Sequence, residues 1–130
     1  MSTFNAIGTA GTGVTVYRKW LDAVSDNIAN IDNVSRTSEN AFQARYVLAQ
    51  EAADGNGAQV GGVAFGSAEG VLAYDPQHPL ADSQGYVRKP DIDLGSQMAQ
   101  MMMAQRAYQA NLAVVDRAKD SYTAAINLGK

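Results

Sequence analysis

The chain has 130 residues, a net charge of −3 and no cysteine. It is long enough for one small domain, and it excludes a disulfide framework, a thiolate nucleophile and a Cys-ligated zinc site. No apolar run is long enough to span a bilayer, and the first residues lack the basic start and apolar stretch of a secretory signal, so neither membrane insertion nor Sec-type export is predicted. Residues 51–90 hold five acidic and two basic side chains, which accounts for the whole net charge of −3, while both ends of the chain are neutral. No basic stripe is present for nucleic acid, and neutral ends suit the packing of like subunits.

The N-terminal segment predicts a helix from about Phe4 to Ala29. Apolar residues recur every seven positions, and a second set follows three places after each member of the first, which is the a/d spacing of a coiled coil. A helix with such a stripe must lay it against another helix. The two sets are Ile7, Val14, Leu21 and Ile28, and Ala10, Tyr17, Val24 and Ile31.

An asparagine-rich corner follows this helix, with Asn27, Asn30 and Asn33 three residues apart. Asparagine tolerates turn conformations and can hydrogen-bond nearby backbone groups. We therefore predict that the helix stops here, and that the side-chain amides satisfy backbone groups at its end and fix the direction in which the chain leaves.

The middle of the chain predicts short strands rather than helices. Asp54-Gly55-Asn56-Gly57 is a turn signal, and the apolar residues around it are separated by glycines, so one or two small hairpins are expected. All three prolines lie between Pro76 and Pro90. The stretch Tyr74 to Leu80 cannot be helical at its prolines and should form a rigid strap.

The C-terminal segment predicts a second long helix, capped by Asp91 or Asp93 and ended by Gly129. Its methionines are too closely spaced to face one side, so this helix should contact neighbours on more than one side. The residues expected at subunit interfaces on this helix are Leu94, Met98, Met101, Tyr108, Leu112, Val115 and Tyr122, and those on the first are Ile7, Val14, Tyr17, Leu21, Val24, Ile28, Asn30 and Ile31.

The predicted fold is mainly α. Long N- and C-terminal helices pair as a coiled-coil-like hairpin, with a small irregular β and loop insertion between them. We expect three parts: residues 1–38 with the first helix and the corner, residues 39–90 with the Gly/Pro-rich insertion, and residues 91–130 with the second helix.

Catalytic chemistry is not predicted. The glycine-rich stretch from Gly8 to Gly13 lacks the preceding strand and the lysine of a phosphate loop, so a flexible helix start explains it better. His78 is the only histidine, and a local hydrogen bond in the strap is favoured over a metal or triad role. The sequence predicts no enzyme activity, no cofactor and no metal.

Three stretches resemble the axial proteins of the bacterial flagellum, and among them the proteins of the proximal rod. They are Leu21-Asp22-Ala23-Val24-Ser25-Asp26-Asn27-Ile28-Ala29-Asn30-Ile31, the strap Tyr74-Asp75-Pro76-Gln77-His78-Pro79-Leu80-Ala81-Asp82 with Gly85-Tyr86-Val87, and Ala104-Gln105-Arg106-Ala107-Tyr108-Gln109-Ala110-Asn111. The order of the three along the chain is that of the family.

The resemblance implies a structural rod subunit that helps transmit torque from the motor ring to the distal rod and hook. It implies, as partners, other proximal rod subunits, the distal rod protein, the MS ring with its rod adaptor, and the flagellar type III export apparatus. It also implies synthesis in the cytoplasm, export without a cleaved signal peptide, and a final place in the periplasmic rod of the basal body. A soluble helical-hairpin adaptor or export chaperone is the alternative that the residues leave open.

Overall fold

The computed structural model describes residues 3–129 and opens with helix α1, Thr3–Ala29. The predicted bounds of this helix are confirmed to within one residue. The segment contains no proline, so its backbone hydrogen-bond ladder can run uninterrupted. Glycines weaken an isolated helix, but tertiary packing supplies most helical stability in proteins. Four apolar side chains of α1 are buried, namely Ala10, Val16, Ala23 and Val24.

Helix α1 ends at the asparagine-rich corner, as predicted, although the Asn27 amide hydrogen-bonds to Arg45 and Gln97 and not to the helix end. The Asp26 carbonyl accepts both the Asn30 side-chain amide at 2.8 Å and the Asn30 backbone N–H at 3.2 Å. The chain then turns through residues 30–32. Ser35 exchanges two backbone hydrogen bonds of 2.9 Å with Arg88, which lies in a later strand. The corner is thus an ordered loop tied to the rest of the chain.

The first of two antiparallel hairpins joins β1, Arg45–Glu51, to β2, Ala58–Phe65. Its ladder shifts register between Leu48 and Ala49, which marks a bulge. At the tip, Gly57 has a φ of +104° and lies against Thr12 of α1, so closely that a side chain would collide with the Thr12 hydroxyl. That hydroxyl accepts a hydrogen bond from the Ala58 N–H at 3.1 Å, which fastens the tip to α1.

The second hairpin joins β3, Val71–Tyr74, to β4, Tyr86–Lys89. The predicted strap connects the two strands as a series of turns without helix. The rings of Tyr74 and Tyr86 meet edge to face at 5.3 Å. His78 is held locally, because its Nδ1 accepts from the Leu80 N–H at 3.1 Å. The prediction of one or two small hairpins is confirmed, with two present, and so is that of a non-helical strap.

Helix α2, Leu94–Leu128, closes the chain. Asp93 caps its start by accepting from the Ser96 N–H, and Gly129 caps its end, as predicted. With 27 residues in α1 and 35 in α2, roughly half of the chain is helical. The architecture is therefore two long helices with a small antiparallel insertion of two two-stranded sheets.

Candidate assembly interface

The two helices lie antiparallel against each other. The Phe4 ring, near the start of α1, meets the Tyr122 ring, near the end of α2, at 5.1 Å. Near the middle, Gly13 lies so close to Asn111 that a Cβ on this glycine would be 2.6 Å from the Asn111 Oδ1 atom. At the other end, Asn27 hydrogen-bonds to Gln97. One helix of this chain thus supplies part of the partner surface for the other.

The side chains of the predicted stripe on α1 are wholly or partly covered by other parts of the same chain. Val24 is 1% exposed and belongs to the chain's own core. The other candidate interface residues on α1 and in the turn after it are half-buried, which leaves part of each side chain for a second contact: Ile7, Val14, Tyr17, Leu21, Ile28, Asn30 and Ile31. Val16 and Ala23 are also buried, although they lie outside the stripe, because α1 packs on α2 with one side and on the first hairpin with another.

The predicted stripe on α2 does not mark the residues that α2 buries. Those are Gln97 and Ala104, which fall outside the stripe. The candidates Met101, Tyr108, Leu112 and Val115 are half-buried, whereas Leu94, Met98 and Tyr122 are 46%, 54% and 44% exposed. Gln97 and Ala104 lie three places after Leu94 and Met101, so they occupy the second position of the same heptads. Asn111 and Ala118 continue the seven-residue spacing of Gln97 and Ala104. These small or polar residues were not predicted, because a heptad stripe is recognised by large apolar side chains.

A mostly uncharged, outward-facing surface runs along the first six turns of α2. Arg106, which is exposed, is the only charged residue between Leu94 and Val115. Single exposed apolar residues are common on proteins, but several on one side of a helix with so few charges are typical of an interaction surface. Because few charges would have to be desolvated, a neighbouring helix could cover this surface at low cost. We define the methionine face as the exposed residues Leu94, Met98, Met102, Met103 and Val114.

A smaller apolar cleft opens between α1 and the first hairpin. Its volume is about 190 Å³, and its walls include the stacked rings of Tyr17 and Trp20, whose centroids are 5.9 Å apart. Val47 and Ala58 form the hairpin side. On the far side of Trp20, its indole N–H points at the Gln100 Oε1 atom at 3.5 Å. The cleft shows that the hairpin rests on α1 without filling the space beneath it.

The described residues offer packing surfaces rather than a reaction centre. Within residues 3–129, no group of three or more His, Cys, Asp or Glu side chains is arranged to hold a metal. The stretch Gly8 to Gly13 lies inside α1 and not in a loop. No helix in the described part of the chain is both long and apolar enough to cross a membrane.

The carboxyl group of Asp82, in the strap, has a lowered pKa. The Tyr86 N–H is the largest cause that lowers the pKa of this carboxyl below its ordinary value of 3.8, and the Gln84 N–H and the Thr37 hydroxyl act in the same direction, against partial desolvation. The carboxylate accepts from these three groups at 2.9, 2.9 and 3.1 Å. Its position in the strap, where it joins β4 to the corner, gives it a structural role.

The sequence is similar to flagellar rod proteins over its whole length. Residues 83–128 match the model of the flagellar basal body rod FlgEFG protein C-terminal family. The flagellar basal-body rod protein FlgC of Salmonella typhimurium is 34% identical, with 100% of each chain covered. The proteins of that name in Bacillus subtilis and Borreliella burgdorferi are 26% and 30% identical, with 100% and 97% of each chain covered.

Proposed function

Because this chain belongs to the FlgC family of flagellar basal-body rod proteins, and is thus a structural rod subunit and not an enzyme, we propose that it builds the proximal part of the rod. In this position it would help carry torque from the motor ring towards the distal rod and hook. The observation that carries the proposal is the methionine face, a charge-poor surface on a helix whose opposite side is already packed on α1. The adaptor or chaperone alternative is set aside, since the relatives are rod proteins.

The proposed interface combines the methionine face with the half-buried parts of the stripe residues. Neighbouring subunits would cover both helices in a coiled-coil-like arrangement, with the exposed side of one chain packed on a different surface of the next. Such head-to-tail contacts do not close on themselves and so generate a filament. On α1 the contacts would come from Ile7, Val14, Tyr17, Leu21, Ile28, Asn30 and Ile31, with Val24 supporting them from within, and on α2 from Leu94, Met98, Met101, Tyr108, Leu112, Val115 and Tyr122.

Rod and basal-body components are the partners of this subunit. More specifically, we propose the other proximal rod subunits, the distal rod protein, and the MS ring with its rod adaptor. The rod would lie in the periplasm, and the chain would reach it through the flagellar type III export apparatus without a cleaved signal peptide.

Substitution of Met102 tests the proposed interface. Met102 is 55% exposed, so Met102→Asp should change the free energy of unfolding by no more than about 0.5 kcal/mol. In a neighbour's interface, the same carboxylate would be desolvated without a partner. We expect cells carrying only this variant to export it and to lose motility, with rods that stop short in electron micrographs of basal bodies.

The matched control is Gln59→Asp, which puts the same charge at an exposed position in β2, away from α2. Motility should survive this change better than it survives Met102→Asp. Normal rods with Met102→Asp would show that the methionine face stays in water, and the interface would then have to lie elsewhere.

A further inference from the structure

A buried amide at the end of α1 connects three parts of the fold. Asn27 is 0% exposed. Its Oδ1 atom accepts from the Arg45 N–H at 2.8 Å, and its Nδ2 atom donates to the Arg45 carbonyl at 2.9 Å. The side chain thus pairs with the first residue of β1 as a neighbouring strand would. Its second N–H donates to Gln97 Oε1 of α2 at 3.0 Å.

The hydrogen bonds fix one another's direction. Because the Arg45 N–H can only donate, it requires the oxygen of Asn27 at that position, and the Asn27 amide cannot be turned over. Its nitrogen then faces α2, so Gln97 must present an oxygen. Gln97 is 2% exposed, and an unsatisfied amide at such a site costs more than a hydrogen bond in water contributes. The strand therefore fixes the orientation of the Asn27 amide, and this orientation fixes which atom Gln97 of α2 must present.

Asp26, which precedes Asn27 on α1, makes a second contact with Arg45. The Arg45 guanidinium forms an ion pair with Asp26 at 2.8 Å, but both side chains are about half exposed, 47% and 53%. An ion pair so open to solvent contributes little. The buried Asn27 amide is thus the stronger of the two attachments between α1 and the base of the first hairpin.

We propose that Gln97 is a positioning residue that makes docking of the first hairpin on α1 conditional on α2 being in place. Without α2, the nitrogen of Asn27 is open to water, and its side chain can leave Arg45 at little cost. With α2 packed, only one orientation of Asn27 satisfies every buried polar atom of the junction. The junction therefore couples the two helices and the insertion, and it does so independently of any contact with another subunit.

Amide hydrogen exchange on the purified full-length chain tests this coupling. The Arg45 amide reports the junction directly, and the Ser35 amide, which donates to the Arg88 carbonyl, serves as an internal reference in the other sheet. Gln97→Met removes the acceptor and fills a similar volume. We expect it to raise the Arg45 rate relative to the Ser35 rate by about tenfold or more, as the loss of a buried hydrogen bond implies.

Two further variants separate coupling from general loosening. Gln105→Met, on the exposed side of α2, should leave the ratio of the two rates unchanged. Gln97→Glu keeps an acceptor oxygen of the same reach, so this ratio should stay well below that of the methionine variant even where the overall stability falls. An unchanged ratio in Gln97→Met, an equal rise at Arg45 and Ser35, or an Arg45 amide without protection in the wild-type chain would each overturn the proposal.

Discussion

The two long helices of this chain use their apolar residues in opposite ways. Helix α1 buries Val16 and Val24, and it packs on both α2 and the first hairpin. Helix α2 buries only Gln97 and Ala104, while Met102 and Met103 are 55% and 61% exposed. One helix is the centre of the subunit, and the residues that the other buries are small or polar.

This difference separates the residues that pack within the subunit from those available to a neighbouring subunit. Small residues allow two helices to approach closely, so they serve a contact that must form within one chain. Large, flexible methionines cover a broad area and adapt to irregular partners. In α2 the two kinds lie on different sides of one helix, so this helix can pack within its own subunit and, in our proposal, on the next.

The strongest test of the comparison places the same charge on each helix. Val24→Asp would bury an unpaired carboxylate at a position that is 1% exposed, and it should lower the free energy of unfolding by about 3 kcal/mol or more. Val114 is 47% exposed on α2, so Val114→Asp should lower it by less than about 0.5 kcal/mol. Urea unfolding followed by circular dichroism measures both changes.

The assembly phenotype should differ from the stability phenotype in this pair. Val114→Asp is expected to give a folded subunit that builds rods poorly, because the carboxylate lies on the methionine face. Equal loss of stability in the two valine variants would mean that α2 is as central to the subunit as α1, and the comparison between the helices would fail.

A smaller effect is expected along the glycines of α1. A Cβ at Gly8 or Gly11 would meet nothing within 4 Å, whereas at Gly13 it would lie 2.6 Å from Asn111 Oδ1. Gly→Ala within a helix stabilises by about 0.5–1 kcal/mol when nothing is displaced. Gly8→Ala and Gly11→Ala should each raise the melting temperature, while Gly13→Ala should raise it less or lower it. A rise in the Gly13 variant as large as the other two would show that the helices do not approach closely at Asn111.

Much of the fold could be predicted because it depends on local signals. Proline-free apolar segments marked both helices, Asp93 and Gly129 marked the caps of α2, and Asp54 to Gly57 marked the first hairpin's turn. The register between the helices could not be predicted, because it depends on which side chains fit between two backbones. Gly13 beside Asn111 is such a fit, and neither residue stands out in a pattern of hydrophobicity.

The candidate interface was predictable in kind but not in detail. The closely spaced methionines indicated contacts on more than one side of α2, and their exposure agrees with that interpretation. The role of Asn27 was foreseen only as a local bond at the helix end, whereas its partners are Arg45 and Gln97, eighteen and seventy residues away. Long-range polar pairs leave no periodic signal in a single sequence.

The smallest expected effect concerns the strap, outside both helices. The pKa of Asp82 lies below its ordinary value of 3.8 because its ionised form accepts hydrogen bonds from Tyr86, Gln84 and Thr37. A lowered pKa in the folded state means that the carboxylate stabilises the fold fully above pH 3.8 and that this contribution is lost as the pH falls from there through the folded-state pKa. Asp82→Asn removes the titrating group, so the stability difference between wild type and variant should shrink between about pH 5 and pH 2. Chemical denaturation across this range measures that difference. Neither helix contacts this carboxylate through a hydrogen bond in the described structure, so the substitution leaves the contact between the helices in place. A deficit of the variant that stays constant with pH would show that the hydrogen bonds to Asp82 do not depend on its charge.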